Sequence, residues 1–156
     1  VEPYKSDGII EIREMTFDDL EKVCVIENGC FASPWSESML GSVLLIENYT
    51  NLVICENGIV SGFIITDRIA NDSEVLDIAV AKDSQGRGFG RRLMSEYIEA
   101  MRANGIVHIY LEARISNERA IGLYRSLGFK DDCVRKNYYD DPKEDALMMS
   151  LLLTEN

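Results

Sequence analysis

Residues 74–101 read EVLDIAVAKDSQGRGFGRRLMSEYIEAM. Val75, Ile78 and Val80 lie in a short apolar run, Val75 to Ala81, which predicts a buried strand. A polar turn, Lys82 to Gln85, ends it. Gly86, Gly88 and Gly90 alternate behind the turn, and Leu93, Met94, Tyr97, Ile98 and Met101 then recur at helical spacing. Glycine at a strand-to-helix junction lets the main chain approach a ligand closely. The first turn of the helix leaves N–H groups without partners at an end that carries partial positive charge. Arg87, Arg91 and Arg92 add positive charge. This pattern describes either an anion site suited to phosphate or pyrophosphate, or a tight turn and nothing more. It is not the dinucleotide fingerprint, because the GxGxxG spacing is missing, and no GK[ST] follows to make a Walker loop.

The rest of the chain sets bounds. Its 156 residues suffice for one domain with a sizeable core, expected over residues 9–154 behind a flexible segment at 1–8. Sixteen Lys and Arg against 27 Asp and Glu give a net charge of -11, which argues against a general nucleic-acid or membrane binder and favours a basic partner. Cys24, Cys30, Cys55 and Cys133 form no CxxC, so free thiols in a reducing cytoplasm are expected. No apolar run is long enough to span a bilayer, and no targeting segment is read at the N-terminus.

Taken in order, Ile9 to Arg13 reads as a first strand. Thr16 and Asp19 resemble a capping box before a helix through Leu20, Val23, Cys24 and Ile26 that ends near Asn28-Gly29. Pro34 breaks any helix, and Ser36 caps a second one through Met39, Leu40 and Val43. Leu52 to Cys55 and Ile59 to Thr66 are strands joined by a hairpin turn at Asn57-Gly58, and Asp67 to Ser73 is expected as a polar turn. A helix from near Gly86 ends at Asn104-Gly105. Val107 to Ala113 follows as a strand reached by a right-handed parallel crossover. Asn117 caps a helix from Glu118 to Leu127, which Gly128 stops. Phe129 to Lys136 and Ala146 to Leu153 are the last two strands, expected to be antiparallel. The order β-α-α-β-β-β-α-β-α-β-β predicts an α/β fold in which helices cover a mixed sheet.

Gln85-Gly86-Arg87-Gly88-Phe89-Gly90 resembles the acetyl-CoA motif of the GNAT superfamily of N-acetyltransferases, Gln/Arg-x-x-Gly-x-Gly/Ala between the fourth strand and the third helix. The predicted element order is also that of the GNAT fold. There the fourth and fifth strands splay apart around the pantetheine arm.

Two residues further on invite chemistry. Glu112 lies in the apolar strand IYLEARIS, where a buried carboxylate without a partner is costly. It either faces a polar edge or pairs with Arg114 or Arg119, or it is a general base for an ammonium group that must lose its proton before attacking. Tyr124 is either a core tyrosine with its hydroxyl on a polar atom, or an acid toward a departing coenzyme A thiolate. Asn117 caps its helix and can also place its amide on a ligand. Tyr138 and Tyr139 can simply pack at a sheet edge. His108 reads as structural, and the scattered acids, Asp140-Asp141 included, show no metal spacing, so no metal is expected.

Residues 111–129, LEARISNERAIGLYRSLGF, and 135–148, RKNYYDDPKEDALM, resemble the ribosomal-protein alanine N-acetyltransferase branch of that superfamily; Phe31 to Trp35 resembles its substrate-side loop. The resemblance runs over nearly the whole chain after Gly8. It implies an enzyme with acetyl-CoA as co-substrate, Glu112 as proton acceptor and Tyr124 as proton donor. It implies that the main chain of Ile78, Ala79 and Val80 pairs with the pantetheine arm, and that Gly86, Arg87, Gly88, Phe89, Gly90 and Arg91 hold the pyrophosphate with Asn117 a further contact. Phe31, Trp35 and Tyr138 would wall the peptide entrance. Ala113 stands where the branch often has valine, a small packing change. The implied acceptor is the N-terminal alanine of a small-subunit ribosomal protein. A lysine or small-molecule amine acetyltransferase, and a non-catalytic acetyl-CoA-binding module, are the alternatives.

Overall fold

The computed structural model describes residues 8–153. The expected flexible segment at 1–8 falls, but for Gly8, outside the described residues, as does the last residue of the expected domain, Thr154. The elements in chain order are β1 (Ile10–Glu14), a 3-10 turn (Phe17–Asp19), α1 (Leu20–Cys30), α2 (Glu37–Val43), β2 (Tyr49–Glu56), β3 (Ile59–Ile69) and β4 (Asp72–Val80). A second 3-10 turn (Lys82–Ser84), α3 (Phe89–Ala103), β5 (His108–Arg114), α4 (Glu118–Ser126), β6 (Lys130–Tyr139) and β7 (Glu144–Leu152) follow. The seven strands form one sheet in the order β1-β2-β3-β4-β5-β7-β6. Among the described residues only β4 and β5 run parallel; every other pair is antiparallel.

The long apolar run of β3 has a direct cause. Phe63 and Ile65 turn to one face, where Val23, Ile26, Leu40 and Val43 of α1 and α2 cover them. Ile64 turns to the other, where Leu93, Met94, Tyr97 and Met101 of α3 cover it with Ile121 and Tyr124 of α4. A strand buried on both faces has no reason to alternate. Leu93 and Met94 are fully buried, so truncating either to alanine costs about 2–5 kcal/mol.

Local signals did their expected work at most boundaries. Ser36 Oγ accepts the Met39 N–H at 3.2 Å, and Asn117 Oδ1 accepts the Ala120 N–H at 3.3 Å. Asp19 accepts the Thr16 N–H at 2.8 Å and grips Arg13 with both oxygens, at 2.7 and 2.8 Å. Asn57 and Gly58 both take positive φ, 51° and 80°, as a two-residue hairpin turn between twisted strands requires.

Three expectations need correction. Asp67 to Ser73 is no loop: β3 continues to Ile69 and β4 begins at Asp72, leaving Ala70 and Asn71 as the turn. The polar residues are satisfied within the ladder, because Asp67 Oδ1 accepts the Glu74 N–H at 3.0 Å and the Ser73 hydroxyl donates to the Asp67 carbonyl. The helix after the glycines starts at Phe89, not near Gly86, because Gly86 and Gly88 hold φ of 80° and 81°, outside helical space. The last two strands extend into the segment expected to separate them, up to Tyr139 and from Glu144, across a register shift between Arg135 and Tyr139.

Candidate active site

The site is made where the sheet comes apart. β4 pairs with β5 only from Asp72 to Glu74, opposite His108 to Tyr110. Both strands run on, to Val80 and Arg114, without pairing again. Across β4, Ile65 faces Asp77 while Thr66 faces Val75, so Leu76 is an extra residue that bulges the strand. A bulge bends a strand and sharpens its twist. Here it lies where the two strands part.

Two adjoining cavities occupy the split. The first, about 370 Å³, is lined by Ile78, Ala79 and Val80 of β4, by Gly86, Gly88, Phe89, Gly90 and Arg91, and by Asn117 and Leu123 of α4. Gly88 precedes the first turn of α3 in a left-handed conformation, and a Cβ there would meet open space. The turn therefore exposes main chain at the positive end of a 15-residue helix. Arg91 is steadied by the Ser126 hydroxyl at 2.8 Å, and Arg119 reaches over Gly86. Arg87 does not line this cavity. Its guanidinium pairs with Glu56 and lies 4.8 Å from the centre of the Phe89 ring. Asn117 lines it, but its Oδ1 is engaged in the helix cap. A narrow apolar slot ending in a main-chain anion cradle fits a long flexible arm carrying a pyrophosphate.

The second cavity, about 720 Å³, is lined by Phe31, Ser33 and Trp35 from the loop after α1, by Asp77 and Ile78, by Glu112 and Arg114 of β5, and by Tyr138 and Tyr139 of β6. It shares Cys30, Phe31, Ile78, Asn117 and Tyr124 with the first. Glu112 and the glycine turn thus line adjoining cavities rather than one.

Glu112 pairs with neither arginine proposed for it. Its Oε1 accepts the Tyr138 hydroxyl at 3.2 Å. Arg114 instead bonds Glu144 at 3.3 Å and the carbonyls of Pro142 and Asp140, with its guanidinium 4.4 Å from the centre of the Tyr139 ring. Burial, with the neighbouring Glu112 charge, pushes the Tyr138 hydroxyl up, which keeps it a donor. Tyr124, 6% exposed, stands at the junction of the cavities. Burial, helped by the Asp77 carboxyl, pushes its hydroxyl up to about 12, so it is neutral at physiological pH.

Two acids of the site were not singled out from sequence. Glu27 is 1% exposed and accepts the Trp35 N–H on Oε1 at 3.1 Å. Asp77 is raised to about 9, by burial first and then by the neighbouring Glu27 carboxyl. The signals were present: Glu27 continues the helical series Leu20, Val23, Cys24, and Asp77 interrupts an apolar strand as Glu112 does. Among the described residues, no group of three or more His, Cys, Asp or Glu could hold a metal ion, and no helix is long and apolar enough to cross a membrane.

A sheet parted beside a bulge, with a glycine turn at the mouth of the gap, is the architecture of an acyl-transferring enzyme. The chain belongs to the Acetyltransferase (GNAT) family, whose profile matches residues 20–129, and it is an acetyltransferase. It is similar to the ribosomal protein bS18-alanine N-acetyltransferase of Escherichia coli K12, being 37% identical over 142 residues that cover 90% of this chain and 95% of that protein. With the Haemophilus influenzae protein of the same name it shares 33% over 138 residues, 86% and 93% of the two chains. The crystal structure of the Escherichia coli ribosomal-protein-S18-alanine N-acetyltransferase superposes with a TM-score of 0.89 at 35% identity, covering 95% of this chain and 96% of that one. Ard1 from Thermoplasma volcanium superposes at 0.86 with 26% identity, covering 94% and 99%.

Proposed function

We propose that this enzyme transfers the acetyl group of acetyl-CoA directly to the N-terminal α-amine of a protein, with the N-terminal alanine of a small-subunit ribosomal protein as acceptor. The observation that carries the reading is the placement of Glu112 and Tyr124. Both line the larger cavity, and Tyr124 also reaches the one bordered by the glycine turn. The named relatives, similar over almost their whole length, support the choice of acceptor.

The smaller cavity receives acetyl-CoA, with the pyrophosphate at the main chain of Gly86 to Arg91 and the pantetheine arm along the unpaired edge of Ile78 to Val80. The acceptor peptide enters between Phe31, Trp35 and Tyr138. Glu112 takes the proton of the ammonium group, directly or through water, with Tyr138 fixing the carboxylate. The amine then attacks the thioester carbon. The main-chain N–H near Val80 steadies the developing oxyanion; as the carbon–sulfur bond breaks, the second proton of the nitrogen passes to the departing thiolate, which leaves as free coenzyme A. Tyr124 meets the sulfur. At about 12 its hydroxyl is a weaker acid than an ordinary thiol at about 8.5, so it donates a hydrogen bond to the thiolate rather than surrendering its proton. Much of the acceleration comes from holding both substrates in one geometry. No cysteine serves as nucleophile: the thiols of Cys24, Cys30 and Cys55 are pushed up by burial and are protonated, and Cys133 lines neither cavity.

An α-amine has a solution pKa of about 7.7–8.0 against about 10.4 for lysine, so a carboxylate relieves it of its proton more readily. The test is mass spectrometry of peptides after incubation with acetyl-CoA, with free and blocked N-termini, each with and without an internal lysine. Acetylation confined to free N-termini is expected. Transfer only to lysine overturns the reading.

A further inference from the structure

Glu27 of α1 and Asp77 in the bulged part of β4 meet in the wall of the larger cavity. Glu27 Oε2 and Asp77 Oδ2 are buried and receive no hydrogen bond from any protein donor. The two carboxyl groups are also close enough to couple: burial first and then the neighbouring Glu27 carboxyl hold Asp77 above the ordinary carboxyl range. Two carboxylates side by side cannot satisfy each other, because each only accepts; a proton on one supplies the donor that both orphaned oxygens lack. Two full negative charges in contact and away from water would be costlier still. One proton held between the two groups removes both difficulties and leaves the pair with a single net charge.

The pair also joins two parts of the site. Glu27 Oε1 accepts the Trp35 N–H, so it holds the Phe31–Trp35 wall. Asp77 holds the other end on β4, and Glu112 lines the same cavity from β5. We propose that Glu27 and Asp77 share one proton and form a positioning site for the acceptor. The bridged pair ties the Trp35 wall to β4 and offers one negative charge to the incoming ammonium group. This rests on reading the larger cavity as the acceptor site, although the shared proton itself is measurable without that reading.

The titratable groups around the pair are Cys24 and Cys30 on α1, Glu37 on α2, Lys82 after β4, Tyr124 on α4 and Glu112 on β5. Burial raises both thiols, and Tyr124 stands at about 12, so all three are neutral while the pair keeps its proton. From β3 the residue opposite Asp77 is Ile65, which offers no charge. When the proton leaves, the second charge forms in contact with the first, the bridge opens, and the Trp35 wall loses its tie.

The test uses the 156-residue chain and three variants. Infrared difference spectra of wild type against D77N and E27Q at pH 7 report a protonated carboxyl directly; the band is expected in wild type and absent from both variants. Peptide KM and kcat are then measured from pH 7 to 10. In wild type KM climbs about tenfold more than in D77N, whose amide donates to Glu27 without titrating, while kcat moves less. D77A, which has no bridge, raises peptide KM about tenfold at pH 7 and leaves the acetyl-CoA Kd within about twofold. A wild-type spectrum without the protonated band overturns the shared proton. An alkaline rise in KM that is the same in wild type and D77N overturns the positioning role. Absence of transfer to any free N-terminus, with the band present, overturns the acceptor role and the function proposed above while the shared proton stands.

Discussion

The Tyr138 hydroxyl donates to Glu112 Oε1 at 3.2 Å, a bond between residues 26 apart in sequence that links the last hairpin to the strand bordering the split sheet. It fixes one carboxylate oxygen and leaves the other for the acceptor. Glu112→Gln keeps the shape and removes the base. The expected result is a fall in kcat of about 10²-fold at neutral pH with the acetyl-CoA Kd unchanged. Steady-state kinetics with calorimetric binding checks it, and unchanged turnover removes Glu112 from the chemistry.

Tyr138→Phe separates orientation from proton transfer. Tyr138 is 43% exposed, so water can replace its hydroxyl on Glu112. The loss is therefore at most about 1 kcal/mol, read as a rise in peptide KM of no more than about fivefold. A collapse of kcat comparable to that of Glu112→Gln would mean that Tyr138 takes part in the chemical step.

Tyr124→Phe removes the one hydroxyl expected at the departing sulfur. A fall in kcat of about 10- to 100-fold is expected with peptide KM little changed, because the interaction forms only as the thiolate develops. A thioester analogue with a more acidic leaving thiol needs that help less. The variant's defect should shrink with it, and a defect independent of the leaving group would show that Tyr124 only shapes the cavity.

How far the sequence spoke about this site depends on the range of the interaction. The caps at Ser36 and Asn117 and the hairpin at Asn57-Gly58 are local, and they appear where the residues call for them. The strand ends placed at Thr66, Lys136 and Ala146, each inside the true strand, share one cause. Polar side chains such as Asp67 were read as loop formers, whereas the ladder supplies their partners from residues several positions away. The parting of β4 from β5 has no local signal at all, since it depends on a bulge at Leu76 and on which strand lies beside it. Arg87 looked like a pyrophosphate ligand from its place among the glycines, but Glu56 on β2 turns its side chain away. Glu27 and Asp77 are each visible as acids in apolar rows, but only the fold brings α1 onto β4 and makes them a pair.

Gly88 tests the anion cradle. At φ 81° an alanine is strained whatever the space around it, and here the space is open, so the cost is conformational: about 1–2 kcal/mol. Gly88→Ala should lower stability by that amount and weaken acetyl-CoA binding by moving the N–H groups at the start of α3. Denaturant unfolding and calorimetry measure the two effects. Affinity that survives the loss of stability would place the pyrophosphate away from this turn.

The Glu27–Asp77 pair also makes stability depend on pH, with a definite sign. Unfolded, Asp77 titrates near 3.9; folded, burial and the neighbouring Glu27 carboxyl raise it to about 9. Between those values the native state binds a proton that the unfolded chain does not. Its contribution to stability is complete below the lower value and is lost progressively as pH rises through the higher one. Asp67 and Glu74 are also raised by burial and act in the same direction, but they are common to both proteins when wild type is compared with Asp77→Asn. The difference in unfolding free energy, wild type minus variant, should therefore fall between pH 5 and pH 8 by at most about 1.4 kcal/mol per pH unit. Urea unfolding of both proteins at each pH measures it. A difference that stays flat over that range would mean that Asp77 is ionised in the native state and that the pair holds no shared proton.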